Sequence, residues 1–168
     1  LLVVGQKPSA ANGGSCSTPA GWTPVVSLTG AGGYGTTLGA DRGNTNLYAF
    51  AKVAVGGESG SLAVTVGTNG VCWARIMRLS NASGIWNVAG ASGSDASAGS
   101  VSVGFGADPG VTANDLVIGA MCIPTDVTTP AQFSAQAFAQ TGVTWGTVTE
   151  IGEADSATGN DIGGFLVH

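Results

Sequence analysis

Ser61-Leu62-Ala63-Val64-Thr65-Val66-Gly67-Thr68-Asn69-Gly70-Val71-Cys72-Trp73-Ala74-Arg75-Ile76-Met77-Arg78-Leu79 is the stretch that decides the fold class. Leu62, Val64 and Val66 alternate with Ala63 and Thr65, a period of two that puts one apolar face on a core. Asn69-Gly70 is a strong short-range hairpin signal because both residues tolerate positive φ, so antiparallel pairing is expected across it. In the second half, Cys72, Ala74 and Ile76 fall on one face and Val71, Trp73, Arg75 and Met77 on the other. A strand with both faces partly covered is expected there.

The same unit recurs outward in both directions. Short segments rich in Val, Ile, Thr and aromatics end in clusters of Gly, Ser, Asn or Pro, with no helical interlude. The expected strands are 1–4, 24–28, 47–55, 61–66, 71–79, 85–88, 100–105, 115–123, 132–138, 143–151 and 162–167. The run 130–140 holds the best helix composition, with Pro130 suited to a first turn, but the alternation of Phe133, Ala135, Ala137 and Ala139 favours strand. The fold class that follows is all-β: an antiparallel two-sheet β-sandwich of about ten short strands with little or no helix. The small-residue stretch 89–99 and the glycine-rich 30–43 read as surface loops.

The chain has 168 residues, the size of one domain, read as a single unit 1–168. It starts at Leu1 and stops within a strand-like run containing Phe165, so a piece of a longer polypeptide is expected, with that last strand open to a neighbour. Charged residues make up only 9% against 43% hydrophobic, which excludes the disordered class. Five cations against ten carboxylates, with no basic run, argue against nucleic-acid binding, and no apolar stretch is long enough to span a bilayer.

Catalytic side chains are scarce. The single histidine is His168, so a serine or cysteine nucleophile has no base beside it in the sequence. Cys16, Cys72 and Cys122 are too scattered for a zinc site or a disulfide framework, and Cys72 and Cys122 lie in apolar runs, where buried small hydrophobes are expected. Gly30-Ala31-Gly32-Gly33-Tyr34-Gly35 spells a dinucleotide fingerprint, yet no helix opening follows it. Most carboxylates sit in turn sequences and are read as turn formers. Glu153, Asp155 and Asp161 belong to the densest oxygen cluster and are the calcium candidates, although they lack EF-hand spacing; no cofactor is expected. Asn81-Ala82-Ser83 matches a glycosylation sequon, a pattern common by chance. Trp73 and Trp145 are read as core. Trp22, Trp86 and Tyr34 are the candidates for exposed aromatic contacts with a protein or sugar.

Four blocks carry a resemblance: Pro19-Ala20-Gly21-Trp22-Thr23, Asn46-Leu47-Tyr48-Ala49-Phe50-Ala51-Lys52-Val53-Ala54, Trp73-Ala74-Arg75-Ile76 and Ala113-Asn114-Asp115-Leu116-Val117-Ile118. Across residues 19–123 the chain resembles the Gly/Ala/Ser-rich, jelly-roll-like β-sandwich proteins on the surface of tailed-bacteriophage particles. That resemblance implies a non-enzymatic structural component of the virion. The expected partners are the major capsid protein or tail proteins, with symmetric self-assembly, a trimer first, and location on the particle surface. The alternative is a tail-fibre or carbohydrate-binding module that recognises host glycans.

Overall fold

The structure, a computed structural model, describes residues 1–8, 14–31, 44–67, 70–81, 83–84, 86–94, 111–112, 115–124, 133–156 and 162–168. The expected strand 100–105 lies outside them. Nine strands are found in the described residues and no helix. They are β1 (Leu2–Pro8), β2 (Ser15–Cys16), β3 (Thr23–Ala31), β4 (Thr45–Ala51), β5 (Val66–Gly67), β6 (Gly70–Ile76), β7 (Gly119–Ile123), β8 (Glu150–Ser156) and β9 (Ile162–Val167). The protein is all-β, and every ladder is antiparallel.

The largest sheet runs β3-β4-β1-β6. Its inner strand β1 is longer than the expected 1–4, because β4 and β6 pair with it on both sides as far as Gln6 and Pro8 respectively. Pro24, which cannot donate to a ladder, sits in the outer strand β3 where the register shifts. A three-stranded sheet runs β7-β9-β8, and β2 pairs with β5 alone.

Two apolar clusters lie on opposite faces of β1, as its alternation dictates. Leu2 and Val4 stand beside Phe50 and Tyr48 in register, and Cys16, Trp22, Leu62, Val64 and Val66 cover them. Val3 and Trp73 face the other way and join Ile162 and Leu166 of β9 in a core that binds the three-stranded sheet to the larger one. Arg75 of β6 adds a polar tie by donating from Nη1 to the Ile151 carbonyl of β8, 3.3 Å away.

Several expectations change. Residues 61–66 keep the predicted alternation, with Leu62, Val64 and Val66 turned inward, but only Val66 and Gly67 join a ladder. Asn69 itself lies outside the described residues, and the strands that flank it do not pair with each other as a hairpin would require. β5 pairs with β2 while β6 pairs with β1, so the two belong to different sheets. Packing of Leu62, Val64 and Val66 on the β1 cluster wins over local turn preference. Residues 86–88 and 133–138 are neither helix nor strand. Strand β4 ends at Ala51, β6 at Ile76, β7 begins only at Gly119, and β8 only at Glu150.

Candidate functional site

Trp73 is the pivot between the two larger sheets, 6% exposed as expected of a core residue. It crosses Gly5 in register, and a Cβ on Gly5 would lie 2.5 Å from the indole Cε2. On the opposite side, a Cβ on Gly164 of β9 would run into the same ring. Two glycines therefore make the slot that one indole fills, a close approach that any side chain would block. The indole Nε1–H meets no nitrogen or oxygen acceptor, and the Cys122 sulfur is the polar group beside it. Burial pushes the Cys122 thiol up to about 12, against the smaller opposing influence of Thr45, Trp73, the Gln6 backbone and the Lys7 charge.

Next to this slot the sheet carries a buried polar end. Gln6, Lys7 and Asn46 have no exposed surface, and Asn44 and Thr45 have little. The register separates them by face. Gln6 accepts from Asn46 Nδ2 at 3.1 Å and donates from Nε2 to the Gly67 carbonyl at 2.7 Å, which ties β1 to β5. On the other face Lys7 Nζ donates to the Pro124 carbonyl at 2.9 Å, and Thr45 Oγ1 to the Cys122 carbonyl at 3.3 Å. Buried polar groups are tolerated when they are bonded in this way, and they fix one register where apolar contacts alone would allow slippage.

The candidate residues that the sequence singles out are scattered rather than convergent. Trp22 closes a turn through its N–H to the Pro19 carbonyl, 3.0 Å, and is half-buried on the Leu2–Phe50 cluster instead of exposed. Trp86 is also half-buried, at the start of a segment that crosses β3, where Gly90 lies against Val25 and Val26. Tyr34 and Asp161 lie outside the described residues. Phe165 belongs to β9, which is the middle strand of its sheet, paired with Met121 of β7 and Glu153 of β8. The last strand is thus not an open edge; β7 and β8 are the outer strands.

Two carboxylates of β8, Glu150 and Glu153, serve the fold. Glu153 Oε1 accepts from the Phe133 N–H at 3.0 Å, and Glu150 Oε2 accepts from Gln136 Nε2 at 2.9 Å, so β8 holds the 133–140 segment alongside it. Asp155 pairs with Gly163 in the ladder. Among the described residues no three His, Cys, Asp or Glu side chains gather as a metal site would require. Asn81 Oδ1 accepts from the Ser83 N–H and hydroxyl, both at 2.9 Å, and both residues are exposed.

Two surface features do not stand out in the sequence pattern. The first is an arm, residues 52–60, whose every residue is exposed; Val53 is 68% and Val55 88% exposed. Glu58 braces it by accepting from the Val55 N–H at 2.8 Å and the Gly56 N–H at 3.0 Å, with Lys52 Nζ 3.7 Å from its Oε1. Those backbone bonds, that of Val55 foremost, hold the Glu58 carboxyl below its ordinary value. The one local signal for it is Gly56-Gly57 followed by a lone Glu58, which breaks strand alternation. The second feature is an open hollow of about 490 Å³ lined by Ala139, Gln140, Thr141, Val143 and Trp145. Its half-buried Trp145 packs against Phe138, with ring centroids 5.1 Å apart and planes tilted by 38°.

The cysteines also differ from expectation. Cys72 is exposed, because the Cys72-Ala74-Ile76 face of β6 is left largely uncovered, whereas Cys16 is half-buried. Comparison with known proteins returned no matching family model, no matching curated protein and no matching solved structure.

Proposed function

We propose that this chain is a non-enzymatic structural component of a tailed-phage particle, a capsid decoration or accessory protein seated on the particle surface through its 52–60 arm. In this reading the two larger sheets are the layers of a jelly-roll-like β-sandwich that serves as a rigid base. The observation that carries it is the arm itself. Val53 and Val55 project into water from a glycine-containing segment whose turn Glu58 bonds, with Lys52 beside it. A loop with no contact to make gains nothing from such bracing, whereas a preorganised apolar projection loses little entropy on binding. The outer strand β6 adds Ile76, 56% exposed, as a second apolar contact. The resemblance of residues 19–123 to phage surface proteins supplies the partner class. Cryo-microscopy of particles from the encoding phage is expected to show density for this fold with the arm at the contact; particles without such density contradict the reading.

The second reading is a tail-fibre or carbohydrate-binding module, and the hollow beside Trp145 favours it. Gln140 and Thr141 offer polar groups next to an indole, the mixture that sugar recognition uses. A glycan array probed with the wild-type chain and with Trp145→Ala tests it. Signal lost in the variant supports the module, and an array silent to the wild type rules it out.

A further inference from the structure

The pair Cys16 and Cys72 carries an inference that does not depend on the particle reading. Register places Cys72 opposite Gln6 of β1, on the face that Leu2 and Val4 share. Cys16 packs on that same face. The two are joined through Gln6 and the β2–β5 ladder. Gln6, the neighbour of Cys72, donates its side-chain amide to the Gly67 carbonyl, and Gly67 pairs with Ser15, the residue before Cys16. Both thiols are free, with Cys72 exposed and Cys16 half-buried. They are also close enough that negative charge on Cys72 raises the Cys16 pKa, in addition to the larger effect of burial. Cys122 belongs to the opposite face, in the cluster around Trp73.

We propose that Cys16 and Cys72 are a redox pair that closes into an intrachain disulfide, clamping β2 onto β6 when the protein meets a disulfide oxidant. With oxidised glutathione the exchange balances in two steps. The Cys72 thiolate attacks one glutathione sulfur, forming a mixed disulfide and releasing a glutathione thiolate. The Cys16 thiolate then attacks the Cys72 sulfur, forming the intrachain bond and releasing a second glutathione thiolate. The two protons lost by the cysteines end on the two glutathione thiols, so the protein is oxidised by two electrons and glutathione disulfide is reduced by two. A cross-link between residues so distant in sequence restricts the unfolded chain and raises stability. The chain is thereby firmer outside a reducing cytoplasm than within it.

The test is incubation of the full chain with oxidised glutathione under native conditions, followed by thiol titration in denaturant and mass spectrometry of intact protein and peptides. Two of the three thiols are expected to disappear, with a monomer lighter by two hydrogens, a mapped Cys16–Cys72 peptide and a higher melting temperature that dithiothreitol reverses. Cys122→Ser is expected to behave as wild type. Cys16→Ser is expected to stop at glutathione bound to Cys72, and Cys72→Ser to form no intrachain bond. A wild-type chain that retains glutathione on Cys72, that forms a covalent dimer through Cys72, or that keeps all three thiols overturns the proposal.

Discussion

Strand β1 and the 52–60 arm are two extended stretches with similar ingredients and opposite fates. Leu-Val-Val-Gly-Gln-Lys-Pro is buried at every position, including a glutamine and a lysine. Lys-Val-Ala-Val-Gly-Gly-Glu-Ser-Gly is exposed at every position, including two valines. Lys7 donates to a backbone carbonyl in the interior, whereas Lys52 lies 3.7 Å from Glu58 on the surface. Hydropathy does not decide between them. β1 has strands on both sides and clusters on both faces, so every side chain it carries is inside, and the polar ones must find partners. The arm leaves β4 after its last paired residue, Ala51, and is braced by its own turn. Position in the sheet sets burial.

The contrast is most fragile at the slot that lets β1 be central. Trp73→Ala empties the space between Gly5 and Gly164 and is expected to cost about 3–5 kcal/mol in denaturant unfolding. Filling the slot from the other side, with Gly5→Val, is expected to destabilise by about 1–3 kcal/mol because the Cβ meets the indole. The same substitution placed in each region tests the contrast itself. Lys7→Met leaves the Pro124 carbonyl without its donor and is expected to cost about 1–3 kcal/mol, whereas Lys52→Met is expected to leave the melting temperature unchanged. Equal effects at the two lysines would erase the distinction between strand and arm.

Smaller effects are expected from titration. The Cys122 thiol ionises at about 12 when folded against an ordinary 9.0. The folded state therefore keeps a proton that the unfolded chain gives up. This contribution is complete below pH 9 and is lost as pH rises toward the folded value, at about 1.4 kcal/mol per pH unit. Cys122→Ala is expected to flatten that part of an alkaline stability profile. For Glu58 the sign is opposite. Its folded pKa is depressed, so the brace is intact above the ordinary value of 4.5 and is released only as pH falls through the lower folded value. The amide resonances of Val55 and Gly56 are expected to move in that acid range, together with a small loss of stability.

Much of the sheet content is legible in sequence, since period-two alternation depends on local chemistry alone. It locates the inward residues of 61–66, the two faces of β6 and the core role of Trp73. Pairing is not legible in the same way. The strands on either side of the Asn69-Gly70 signal join different sheets because long-range packing of 62–66 on Leu2, Val4, Tyr48 and Phe50 overrides a local hairpin preference. The extension of β1 through Gln6 and Lys7 is hidden because a charged residue normally ends a buried strand, and a bond such as that to the Pro124 carbonyl, which makes its burial tolerable, is not visible in the sequence. The small neighbours of Trp22 and Trp86 suggest exposure, yet small neighbours also let other segments approach and cover an indole. The arm is hidden because its first four residues, 52–55, continue the strand-like alternation of 47–55, whereas the strand itself ends at Ala51.

Whether the arm is the contact surface is tested most directly by measuring how much labelled chain co-sediments with purified phage particles, wild type against a Val53→Ser, Val55→Ser double variant. Both chains are expected to fold and melt alike, since neither valine has a core contact to lose. Saturable binding of the wild type and loss of most of it in the variant is the predicted result. Equal binding by the two chains, or no binding by the wild type, contradicts it.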